Sequence, residues 1–178
     1  MGGAETERAL AGESRSDESL RYPQRPEHPG TAQLIAYWHT KRAVRPMPDR
    51  ADIAPGELAG LLPNIVISEV LRDGEDFRVR IFGTALVELV GEERTGKCLS
   101  EFGVDAFIPT KPERVQSHWF DVTRRSFVVR HPVLVSGTMA SSNRSYISWH
   151  GVSMPLTSGG SEVAQMLGGI FVVDAGCR

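Results

Sequence analysis

Residues 64–83 read NIVISEVLRDGEDFRVRIFG, and the fold class turns on them. The first half, NIVISEVL, is β-branched and largely apolar, and Asp73-Gly74 sits in the turn after it. In FRVRIFG the pattern alternates, with Phe77, Val79 and Ile81 on one side and Arg78 and Arg80 on the other. The stretch predicts a β-hairpin over 64–83. At Gly83 the period changes: TALVELVG (84–91) starts a short helix capped by Thr84 and closed by Gly91 as its C-terminal glycine.

Working outward toward the C-terminus, residues 92–108 read as loop with helical fragments. Beyond Pro109, TKPERVQSHWFDVTRR places Val115, Trp119 and Val122 at helical spacing and predicts a longer amphipathic helix. Three strand candidates come next, at about 128–140, 145–156 and 163–173. They are separated by Ser141-Ser142-Asn143-Arg144 and Thr157-Ser158-Gly159-Gly160, both turn-forming clusters between antiparallel neighbours. Two strands, a block of helices and three more strands imply an α+β domain with an antiparallel sheet, not a parallel doubly wound one.

Toward the N-terminus, RPMPDRADIAPGELAGLLP predicts an extended link and then a short helix from about Pro55, with Leu58, Leu61 and Leu62 buried and Pro63 as its stop. Before it, TAQLIAYWHTKR reads as a helix over 31–42 with Thr31 as N-cap, Leu34, Ile35, Tyr37 and Trp38 on one side, and Lys41 and Arg42 at its cationic end. Residues 1–30 are rich in Gly, Ser, Glu and Arg and end in YPQRPEHPG, so they are expected to form a flexible leader. The expected organisation is a leader, 1–30, and one domain, 31–178.

Composition narrows the function classes. The chain has 178 residues, 40% hydrophobic and 24% charged, with a formal net charge of -2. Such a balance gives no reason to expect a nucleic-acid or anionic-membrane partner. Cys98 and Cys177 form no disulfide framework, the N-terminus is no signal peptide, and no segment approaches the roughly 18 consecutive apolar residues of a membrane helix. A soluble, cytoplasmic protein is the expectation.

The segment GEERTGKC (91–98) resembles a phosphate-binding loop until Cys98 stands where Ser or Thr belongs. It comes after a helical segment where a strand is required, no good helix opens at Lys97, and Glu92 and Glu93 repel a polyanion. The glycines read better as a helix C-cap at Gly91 and a turn at Gly96. His131 and His150 lie on predicted strands without ligand-spaced partners, Cys98 has no partner, and no nucleophile-elbow pattern appears. No enzyme chemistry is indicated, and no metal site.

The order of elements resembles a PAS domain. More narrowly it resembles the bacterial stand-alone single-PAS group with an N-terminal helix, through AYWHTKRAVRPMPDRADIAP (36–55), LLPNIVISEV (61–70), RVRIFGTALVELVGEERTGK (78–97) and MPLTSGGSEVAQMLGGI (154–170). The resemblance implies a five-stranded antiparallel sheet with helices on one face, an extra N-terminal helix, and a space between sheet and helices that holds a small ligand or is filled by side chains. Pocket candidates on that reading are Val79, Ile81, His118, Trp119, Val122, Tyr146 and Trp149, with Arg80, Arg130 and His150 as polar groups that either join them or face water. No cofactor is expected; haem through His118 is the one carried-over option, and the flavin-adduct cysteine motif is absent. Leu34, Ile35, Tyr37 and Trp38 need an apolar partner surface, either the chain's own sheet or a second copy, and stand as dimer-interface candidates. The function implied is a non-catalytic sensory or regulatory module, a homodimer binding a small molecule or a protein partner and signalling through dimer or helix rearrangement. A small-molecule carrier and a small isomerase-type enzyme using His118 or His150 remain the alternatives.

Overall fold

The computed structural model describes residues 20–101, 112–140 and 146–173, with the side chains of 112–117, 139–140 and 146–147 outside that description. The hairpin forms: β1 (Ile65–Leu71) and β2 (Asp76–Phe82) pair antiparallel across a turn at Arg72–Gly74. Arg72, Asp73 and Gly74 all take positive φ there (45°, 57° and 85°). Gly74 is obligatory for a second reason, since a Cβ would lie 2.4 Å from the Phe127 ring.

The alternation along β2 breaks once. Ile67 pairs with Ile81 but Ser68 pairs with Val79, so Arg80 is the extra residue of a bulge. A bulge reverses the facing of the residues beyond it. Ile81 therefore lies at the surface, 36% exposed, while Phe82 turns inward; the expectation that Ile81 shares a pocket with Val79 is corrected.

Helix α2 (Thr84–Val90) ends on Gly91 in the left-handed conformation, as the sequence predicts. Helix α3 (Pro112–Val129) runs further than expected, through Val128 and Val129. Arg130 at φ 55° stops it, and β3 (Val133–Ala140) starts only after Pro132. With β4 (Tyr146–Leu156) and β5 (Gln165–Val173) this gives one antiparallel sheet in the order β2-β1-β5-β4-β3. The predicted helix from Pro55 is two 3-10 turns, Pro55–Leu58 and Leu62–Asn64, and Pro63 lies inside the second.

Both sheet edges are covered, which suppresses pairing with other chains. On β2, Gly96 and Lys97 exchange backbone hydrogen bonds with Val79. On β3, Arg21 and Ser136 exchange two, at 2.8 and 2.9 Å. That second contact revises the leader. Residues 1–19 of the expected leader lie outside the described residues, while the strap from Leu20 is placed against the sheet, and helix α1 (Pro29–Arg42) starts before Thr31, with His28 as its N-cap. Thr31 is instead fully buried, its hydroxyl donating to the His28 carbonyl at 2.8 Å.

The two faces of the sheet are covered by different helices. On one, Gly30, Thr31, Leu34 and Trp38 of α1 are buried against β4 and β5. Two glycines permit the approach: a Cβ on Gly30 would sit 2.3 Å from the Phe171 ring, and one on Gly169 would sit 2.6 Å from Leu34. The Trp38 indole N–H donates to the Pro155 carbonyl at 2.9 Å. Leu34 and Trp38, both 0% exposed, thus spend their apolar surface on the chain's own sheet and are not available to a second copy in this arrangement. Tyr37 packs on the 52–57 segment, where its hydroxyl accepts from the Ala54 N–H and donates to Glu57. Ile35 is half-buried.

Candidate functional site

The other face, under α3, holds a cavity. Its floor comes from alternate positions of four strands: Val66 and Ser68 on β1, Val135 on β3, Gly151 and Ser153 on β4, and Met166, Gly168 and Ile170 on β5. Because side chains alternate along a strand, these positions share one face and Leu167, Gly169 and Phe171 take the other. The walls are Trp149 of β4 and His118, Trp119, Val122 and Thr123 of α3. Helical spacing brings His118, Trp119 and Val122 over the sheet together.

The cavity measures about 40 Å³. One water needs roughly 10–15 Å³ on this measure, so the free space suits a few waters or a very small molecule. It is far below the roughly 300–1,000 Å³ of a drug-sized pocket, because the two indoles stand in it. A porphyrin or an isoalloxazine does not fit beside Trp119 and Trp149 as they stand. Among the described residues no carboxylate lines the cavity and no group of three or more His, Cys, Asp or Glu is arranged for a metal ion. The polar groups are the hydroxyls of Ser68, Ser153 and Thr123 and the His118 imidazole. Such a site can hold a small, mostly apolar molecule and orient it by one or two hydrogen bonds.

One buried hydroxyl fixes the roof. Ser126 of α3, fully buried, lies 2.8 Å from both the His131 and the Ser153 carbonyls and donates to one at a time. Phe77 of β2 makes edge contacts with Phe120 and Phe127 of α3, at 5.8 and 6.2 Å between ring centres.

Of the sequence-derived pocket candidates, the fold brings His118, Trp119, Val122 and Trp149 together around the cavity. Val79 lies in the core and does not line it, Ile81 is outside, and the Tyr146 side chain falls outside the described residues. The polar candidates go elsewhere. Arg80 pairs with Glu69 at 2.5 Å on the surface, Arg130 with Glu162 at 3.1 Å, and His150 lies on the α1 face. Lining residues that sequence reasoning misses are the small ones, Ser68, Gly151, Ser153 and Gly168. Their signal is present as small residues two apart within apolar strands, where a strand glycine marks close approach or open space.

In the loop 92–97, Lys97 pairs with Glu92, and Arg94, 1% exposed, does so at 2.9 Å. The Lys97 and Arg94 charges hold the Glu92 carboxyl below its ordinary range, with the Lys97 hydrogen bond the larger cause. The basic groups of the phosphate-loop lookalike are thus turned on their own carboxylate, and Gly91 and Gly96 take positive φ (80° and 88°) as cap and turn.

An antiparallel sheet with a helix-roofed cavity on one face and both edges covered is the sensory-domain type of α+β fold. The chain belongs to the PAS domain family, whose model matches residues 26–172. No curated protein matches the sequence significantly. Among solved structures it is similar to a light-oxygen-voltage domain studied with a flavin analogue (17% identity, 67% of this chain and 84% of that one, TM-score 0.46). It is also similar to the VqmA dimer of Vibrio cholerae (15% identity, 66% of this chain and 49% of that one, TM-score 0.47). A third is the PAS domain of a Colwellia psychrerythraea protein (10% identity, 66% of this chain and 95% of that one, TM-score 0.45). Among the described residues no helix is long and apolar enough to cross a membrane.

Proposed function

We propose that the chain is a non-catalytic sensory or regulatory module that takes a small, mostly apolar molecule between α3 and the sheet. The carrying observation is the cavity itself: largely apolar walls, a floor of small residues, and Ser68, Ser153, Thr123 and His118 among its lining. Entry of a molecule displaces Trp119 or Trp149, and Trp119 transmits that displacement to α3. A ligand shifts an equilibrium only by binding its two states differently, and α3 is the element whose position the ligand senses. Output passes through a protein partner or a homodimer. Any dimer contact by α1 uses its outward side and Ile35, since Leu34 and Trp38 are engaged with the sheet.

Native mass spectrometry of the protein purified from its own cells tests this directly, reporting stoichiometry and retained ligand together. A retained small molecule that is lost in the cavity-filling variant Val122→Phe, with the fold intact by circular dichroism, supports the reading. A ligand-free wild type whose Trp119 and Trp149 emission is insensitive to cell extract metabolites overturns it.

A further inference from the structure

The α1 face carries a second arrangement, independent of the cavity. His28 caps α1, its Nδ1 accepting the Gly30 N–H at 3.0 Å. That hydrogen bond needs an unprotonated Nδ1, so the ring is neutral with its proton on Nε2. The same ring stacks on two others, cross-strand partners on the sheet face: Phe171 of β5 at 5.1 Å between centres and His150 of β4 at 5.8 Å. The charged groups facing this stack come from the strap that precedes α1. Glu27 Oε2 lies 3.8 Å from His150 Nδ1, an ion pair only when His150 is protonated, and Arg21 shares the same oxygen at 3.0 Å. From β5 the neighbour is the uncharged Phe171, and from β3 the residue opposite His150 is Ser136.

We propose that His28 and His150 form a proton-sensitive latch: with His28 neutral, α1 and the strap 21–28 stay docked on the sheet, and a proton on His28 releases them. A single proton acts in three ways at once. It removes the acceptor for the Gly30 N–H, it sets a cation at the positive end of the α1 dipole, and it places that cation against the His150 ring. Glu27 offsets one positive charge, but Arg21 already holds it.

Burial first, and His150 second, keep His28 below its ordinary value. Folded His28 therefore binds its proton less readily than unfolded His28. The stability of docking is complete above roughly pH 6.5 and declines as pH drops below it. A second pair, His39 of α1 and His131, with ring centres 6.3 Å apart, lies at the other end of the helix. Burial, Arg42 and His131 depress His39 as well. Its place in the last turn, where the dipole welcomes a cation, makes it the weaker of the two. Release uncovers Leu34, Trp38 and the apolar sheet face beneath them, so proton uptake is coupled to exposure of a hydrophobic surface.

Amide hydrogen exchange of the full chain, corrected for intrinsic rates and compared at about pH 7.5 and about pH 5.5, tests the latch. The expected result is a loss of protection over 31–42 at the lower pH, with β5 unchanged, in the direction that a depressed His28 requires. His28→Asn keeps the cap acceptor and cannot titrate, so its fall over 31–42 shrinks to the smaller contribution of His39; His28→Ser serves if the Asn variant fails to fold. His150→Gln removes one cause of the depression and makes the fall smaller. Equal protection at both pH values, a fall in His28→Asn as large as in wild type, or simultaneous loss from α1 and β5 overturns the proposal.

Discussion

The two faces of the sheet are packed to different standards, and adjacent glycines of β5 show it. Gly169 faces α1, and the space its missing Cβ leaves is taken by Leu34, which is 0% exposed. Gly168 faces α3, and its space opens on the cavity beside Val66. One face is thus sealed by close approach of a helix, and the other keeps room under one. One sheet thus carries a close-packed side and a side with free space.

The largest effect expected from this difference is at Trp38. Trp38→Ala removes a fully buried indole and the donor to Pro155, and is expected to cost about 3–5 kcal/mol in urea unfolding. Trp119→Ala, on the cavity side, is expected to cost clearly less, because part of its surface already borders open space. Equal losses break the comparison.

Next is the same substitution made at neighbouring residues. Gly169→Ala forces Leu34 out of a filled site and is expected to cost about 1–3 kcal/mol, the range for overpacking. Gly168→Ala presses on Val66, whose methyl has the cavity to move into, and is expected to cost at most about 1 kcal/mol. A double-mutant cycle sharpens the point: with Leu34→Ala present, most of the Gly169→Ala penalty disappears.

Ser126→Ala comes third. It leaves the His131 and Ser153 carbonyls without this donor, at a cost of about 1 kcal/mol, and loosens the cavity roof. Exchange protection in α3 falls while that in α1 does not; a matching fall in α1 contradicts the independence of the two faces.

Legibility in the sequence divides along the same line. Elements whose signals are local are readable: the hairpin, the Gly91 cap, α3 and the three closing strands. His118, Trp119, Val122 and Trp149 do line the cavity, but it is the resemblance to PAS domains that singles them out, since spacing alone fits core packing equally well. The Arg80 bulge is not readable, since it depends on how β1 and β2 pair and leaves no mark in the alternation of either. The strap 20–28 reads as a leader because its prolines and charges offer no core. Its order comes from long-range partners, the Ser136 backbone and the Phe171 and His150 rings. The cap at His28 is hidden for a related reason: Thr31 is the better N-cap by propensity, and the stack on Phe171 overrides it. For Leu34 and Trp38 the sequence demands an apolar cover and is silent on which of two surfaces supplies it.

The smallest effect asks whether the sealed face is held by apolar packing alone. Asp49, beside the buried Met47 and Ile53, accepts hydrogen bonds from the Ala51 N–H at 2.9 Å, the Gly159 N–H at 2.6 Å and the Thr157 hydroxyl at 2.9 Å. These donors, Ala51 first, hold its carboxyl below the ordinary range. A depressed carboxyl contributes stability that is full above roughly pH 4 and is lost as pH falls through the folded value. Asp49 is half-exposed, so solvent screening limits the charge contribution, and Asp49→Asn is expected to cost at most about 1 kcal/mol at neutral pH. As pH falls below the depressed folded value the variant and the wild type should converge, because protonation has then removed the same charge. If they stay apart in acid urea titrations, the carboxylate's charge is not what stitches residues 49–53 to 157–159. The α1 side is then held by its packing, with the polar contacts a consequence of it.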